Sequence, residues 1–235
     1  MKAASHSVLL WVVCALVSGY APLHAQRAAS VGRIMAGIHG AGRNGGEPYV
    51  TAGDRTYLIG AQDGSFPDMG GHVPGEMGGL WLHPIKLIDG FQATVTDAAS
   101  GRDAVLSRSA DFVTYPYGSR FVYAPVLDGV SVERFQFSPD GQDGLVVQYR
   151  FTNASARARR LRFRFAVKTD LLPVWSSEQL GLRDAPDSVA WRAADGIFVA
   201  HDTRNPWVCV WGAVPPAAAA RRVADPPPLP TRGTG

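Results

Sequence analysis

Turn dipeptides recur down this chain at short intervals: Asp89-Gly90, Ser100-Gly101, Asp128-Gly129, Asp140-Gly141, Asp143-Gly144 and Asp195-Gly196. Each pair ends in a residue that accepts positive φ, so each marks a place where two extended runs turn back on one another. The runs between them are short and rich in β-branched and aromatic residues, at 56–59, 80–96, 104–106, 111–117, 120–124, 130–137, 145–152, 160–168, 189–192, 197–201 and 207–211. None carries an apolar repeat of helical period over three turns. The expected fold class is therefore all-β, a β-sandwich or a barrel.

Two runs carry further detail. From 160 to 168 the alternation is regular, with Leu161, Phe163, Phe165 and Val167 on one face and Arg160, Arg162, Arg164 and Lys168 on the other. The first face is read as core and the second as a solvated outer face; a platform for an anionic polymer would want aromatics among those cations, and that face has none. From 130 to 137 the apolar phase shifts between Val132 and Phe135, which predicts a β-bulge across Glu133-Arg134.

The two ends differ in composition from the middle. Residues 1–25 follow the plan of a secretory leader: Lys2 as the basic start, an apolar run at 8–17, and Leu23-His24-Ala25 before Gln26, which predicts cleavage after Ala25. The expected location is outside the cytoplasm, periplasmic or extracellular, with no membrane association once the leader is gone. Residues 26–50 read as a lead-in segment, 51–212 as the β-sandwich domain, and 213–235 as a tail whose prolines and alanines suit a linker. A natural linker and a reading-frame change both fit such a tail.

The charge balance, 23 basic against 20 acidic residues, is close to neutral and gives no reason to expect a nucleic-acid partner. Of two cysteines, Cys14 lies in the leader, so Cys209 has no disulfide partner and is read as a core thiol between Val208 and Val210. A structural zinc cluster is excluded by the same count. Asn153-Ala154-Ser155 fits both a glycosylation acceptor and a turn after a strand.

The candidate site is the stretch 63–91. Gly64, Pro67, Gly70, Gly71, Pro74, Gly75, Gly78 and Gly79 rule out regular structure through its first half, so the backbone there displays Asp68, His72 and Glu76 before entering a run with Trp81 and His83. Those carboxylates and imidazoles match no metal-ligand spacing, and no cofactor is expected. Asp68 and Glu76 resemble in kind the two carboxylates of a glycosidase, but one loop gives them no fixed separation across a sugar. Serine-nucleophile and phosphate-cradling motifs are missing from the sequence.

The string from Gly53 through the glycine-rich loop, Trp81, the lysine-containing apolar run IKLI and Phe91 resembles the opening of the N-terminal domain of glycogen-debranching-enzyme-like, six-hairpin glycosidases. The run from Asp143 to Asn153, followed by the stretch that closes on Asp170, is similar to a strand pair of that domain. The resemblance spans roughly residues 51–212. It implies a β-supersandwich preceding an (α/α)6 barrel that holds the catalytic acid and base, and nothing in 213–235 makes such a barrel. No catalytic residue is carried over. The expectation is a non-catalytic domain of an exported α-glycosidase, acting on an α-glucan or other oligosaccharide and docking a catalytic barrel. Phe66, Asp68, His72, Glu76, Trp81 and His83 are its candidate sugar-rim residues. Phe66 and Trp81 also fit a purely hydrophobic role. The alternative is a free-standing carbohydrate-binding or surface-interaction module.

Overall fold

The computed structural model describes residues 7–11, 37–40, 46–70 and 75–223. Among them the protein is all-β, with one short 3-10 segment at Trp175–Leu180 as its helical element. In chain order the strands begin β1 (Ser7–Trp11), β2 (Ile38–His39), β3 (Pro48–Ala52), β4 (Tyr57–Ala61), β5 (Gly79–Leu82) and β6 (Ile85–Asp97). Next come β7 (Asp103–Val105), β8 (Asp111–Tyr115), β9 (Gly118–Leu127), β10 (Val130–Phe137) and β11 (Val146–Asn153). The chain ends with β12 (Leu161–Pro173), β13 (Asp187–Arg192), β14 (Ile197–Asp202), β15 (Val208–Gly212) and β16 (Ala220–Val223).

Three antiparallel sheets result. The largest runs β16-β1-β12-β6-β5-β4-β3 with β7 added to β6, the second runs β11-β10-β9-β8-β2, and the smallest is β13-β14-β15. The first two pack face to face as a sandwich. Across the gap the Tyr49 and Phe121 rings lie 5.1 Å apart, and those of Tyr149 and Phe163 lie 4.8 Å apart. Each buried ring of this kind contributes about 2 kcal/mol through removal of apolar surface from water. A polar seam crosses the same gap, where Gln136 donates to the Tyr49 hydroxyl at 3.0 Å and to Thr51 Oγ1 at 2.9 Å.

The alternation read in 161–168 is the one that β12 adopts, with Phe163 and Val167 buried. The basic face departs from the solvated reading where Lys168 pairs with Asp89 and Arg164 with Asp103. The Asp128-Gly129 dipeptide turns β9 into β10 through the Leu127/Val130 pair. Cys209 is buried as expected, and desolvation pushes its thiol up to about 12, so it is not a thiolate at neutral pH.

Three expectations are corrected. First, β10 has no bulge across Glu133-Arg134. Its register with β11 is unbroken, and Val130, Val132, Arg134 and Gln136 all face inward while Phe135 points outward. The apparent phase shift came from treating arginine as surface. Arg134 is 2% exposed, its guanidinium 3.7 Å from the Phe121 ring centroid, and it donates to the Gly64 carbonyl at 3.1 Å.

Second, Asp89-Gly90 is not a turn. β6 runs straight through it, and the register with β12 slips there, from Lys168 opposite Gly90 to Thr169 opposite Ile88. The dipeptide is a bulge. A glycine is required because a Cβ at position 90 would lie 2.4 Å from the Phe66 ring. The reversal expected at 89–90 lies earlier, where β5 pairs with β6 through Leu82 and Ile85 around His83-Pro84.

Third, the segment from 213, read as suiting a linker, is strand over part of its described length. Ala220–Val223 forms β16 and pairs with β1, which itself pairs with residues 164–168 of β12. β1 comes from within the expected leader. The cleavage position at Ala25, most of the lead-in segment and His72 lie outside the described residues.

Candidate functional site

A row of four residues in register runs beneath a pocket, and three of them, Tyr57, Trp81 and Leu172, line its floor. Tyr57 pairs with Trp81, Trp81 with Lys86, and Lys86 with Leu172, across β4, β5, β6 and β12. Directly paired residues share a face of a sheet, so all four project to the side away from the sandwich gap. Tyr57 and Trp81 stack nearly parallel, 8° apart, with ring centroids 6.4 Å apart. The cavity above this row has a volume of about 470 Å³, enough for a mono- or disaccharide-sized ligand.

Two walls rise from the floor. One is the end of the glycine-rich loop, carrying Glu76 and Met77; it is fixed at its base by the Met77 amide donating to the Met69 carbonyl at 2.7 Å. Trp81 Nε1 donates to the carbonyls of Met77 and Gly78, both at 3.3 Å, which ties the indole to that wall. The other wall follows β12, where the 3-10 segment presents Trp175, 64% exposed, together with Leu182 and Asp184. His83 stands at the rim, exposed. Burial, with the charge of Asp202 adding to it, pushes the Asp184 carboxyl above the ordinary range, and burial does the same to the Tyr57 phenol.

Beside the floor lies a cluster of four charges. Lys86 is 1% exposed and donates to the Gly75 carbonyl at 2.6 Å, to Asp89, and to Asp170 at 3.3 Å. An ammonium has three donors, and these three acceptors account for all of them. Asp89 also pairs with Lys168. Burial acts to raise the Asp89 carboxyl, but the two ammonium groups outweigh it and hold the group below the ordinary range. Asp170 goes the other way, pushed up to about 7 by burial and then by the charge of Asp89, with Lys86 opposing. Its side chain keeps 33% of its surface open to solvent. The bulge at Asp89-Gly90 creates this arrangement by turning Asp89 toward the lysines.

The expected site residues therefore separate. Glu76, Trp81 and His83 converge on the pocket. Asp68 is exposed and lies outside the pocket lining, with its charge favouring protonated Lys168. Phe66 belongs to the core, 3% exposed and 4.7 Å from the Phe91 ring, so of its two readings the hydrophobic one describes its position. His72 is outside the described residues. Asp68 and Glu76 do not share the pocket, and Asp89 and Asp170 touch, closer than the roughly 5–9.5 Å that glycoside hydrolysis requires between its carboxyls.

Sequence reasoning missed Tyr57, Lys86, Asp89, Trp175 and Asp184 as site residues. The lysine inside IKLI was the available signal, since a cation in a buried strand demands carboxylates nearby. No protein-family model, curated protein or solved structure matches this chain.

Proposed function

We propose that this chain is a carbohydrate-recognition domain of the debranching-like α-glycosidase type, exported from the cytoplasm. It helps to shape an α-glucan site, while the hydrolytic acid and base reside on a partner barrel. The single observation that carries the reading is the convergence of Glu76, Trp81 and His83 with Tyr57 and Trp175 around one cavity. Flat aromatic faces suit the apolar faces of a pyranose, and carboxylates and an imidazole suit its hydroxyls. The string 53–91 supplies the sugar class through its resemblance.

The second reading, a free-standing carbohydrate-binding module, draws on the same pocket, whose floor and two walls are lined by residues of this chain. Titration calorimetry with maltoheptaose tests both readings. Saturable binding that is lost in Trp175→Ala is the expected outcome, and binding that Trp175→Ala leaves unchanged overturns the pocket as the site. Hydrolysis of the glucan by the purified chain, abolished by Glu76→Gln, would overturn the non-catalytic role.

A further inference from the structure

The charge cluster has a mechanical connection to the pocket. Gly75, whose carbonyl accepts from Lys86, immediately precedes Glu76 and Met77 of the loop wall. The remaining two donors of the same ammonium go to β6 and β12, the strands under the floor. One nitrogen thus pins a loop to two strands. We infer that Lys86 is the positioning residue of the loop wall, and that the proton shared by Asp89 and Asp170 decides whether that wall is held.

The charges facing the cluster come from three elements: Lys86 and Asp89 on β6, Lys168 and Asp170 on β12, and Asp68 on the loop. With one proton between Asp89 and Asp170, the carboxyls hydrogen-bond to each other and Lys86 keeps its hold on Gly75. Loss of that proton sets two carboxylates in contact. They repel, the pair opens, and the ammonium follows one of them away from the neutral carbonyl, its weakest acceptor. Because burial and the charge of Asp89 push the Asp170 carboxyl up to about 7, the change falls within the physiological range. The wall is held at pH 6 and released at pH 8.

The linkage of this device to sugar affinity rests on the carbohydrate reading, but the device itself is measurable without sugar. Hydrogen exchange of the 75–79 amides, read by mass spectrometry on the full chain and corrected for the intrinsic pH dependence, is the test. Protection should fall about tenfold between pH 6 and pH 8, the ratio that one lost charge-assisted hydrogen bond supplies. Asp170→Asn, which keeps the shape and cannot ionise, should show equal protection at both values. Equal protection at the two pH values in the wild type, or the same fall in Asp170→Asn, overturns the inference. Maltoheptaose affinity that follows the exchange step confirms the coupling to the pocket. An exchange step with no glucan binding at either pH supports the latch and overturns the carbohydrate reading instead.

Discussion

Lys86 and Arg134 are both withdrawn from solvent, at 1% and 2% exposure, and both donate to a carbonyl of the same glycine-rich stretch, Gly75 for one and Gly64 for the other. Their surroundings are opposite. Lys86 is compensated by carboxylates, whereas Arg134 rests on the rings of Phe121 and Phe91, at 3.7 and 5.2 Å, with the phenols of Tyr49, Tyr123 and Tyr149 nearby. An ammonium is compact and strongly hydrated, so it enters a sheet only with anions to replace its water. A guanidinium is flat and weakly hydrated, and aromatic faces suffice. The difference matters for control. Burial pushes the Tyr123 phenol up to about 12, so nothing around Arg134 changes charge near neutral pH, while Asp170 beside Lys86 does. One end of the stretch is fixed at every ordinary pH; the other is conditional.

The largest effect should come from removing the conditional cation. Lys86→Met leaves Asp89 and Asp170 facing each other and should cost about 3–5 kcal/mol at pH 8 in urea unfolding. At pH 6 the loss should be smaller, because Asp170 takes up a proton. Equal losses at both values would break the contrast with Arg134. Next, Arg134→Lys should cost about 2 kcal/mol through loss of ring stacking and of donors, with the same loss at pH 6 and 8.

A subtler effect follows from Asp170 itself. Its folded pKa is raised, so the stability it contributes is complete below about 4 and is lost as pH rises toward 7. The difference between the wild-type and Asp170→Asn stability curves should fall across that window, as measured by thermal or urea unfolding. A flat difference curve would remove the titration from the cluster. The smallest stability effect belongs to Trp175→Ala, within about 0.5 kcal/mol because the ring is largely exposed, even though the substitution is expected to abolish glucan binding.

The all-β class was legible because turn chemistry and period-2 alternation are local properties. Residues 161–168 and the Asp128-Gly129 turn behave as their sequence says. The misreadings share a cause that is not local. Arg134 looked like surface because its compensation comes from aromatic residues distant in sequence, such as Phe91, 43 positions earlier by the numbering. Asp89-Gly90 looked like a turn because the Phe66 ring that excludes a side chain at 90, and the Lys168 that recruits Asp89, belong to other segments. In the site, Trp81 and His83 were visible as residue types in an unusual loop. Trp175 and Asp184 reach the same cavity from nearly a hundred residues away, and only the strand register brings them together.

The pairing of β1 carries a consequence for the border of its sheet. Residues 7–11 occupy the free side of β12 and are the only link in that sheet between it and β16, among the described residues. Without this ribbon, the amides and carbonyls of 164–168 that point to that side would lose their partners, while those on the other side stay bonded to β6. A bare edge of that length is a template for a visiting strand from another polypeptide. The ribbon is thus an internal placeholder, and the sheet without it would be adhesive at one border.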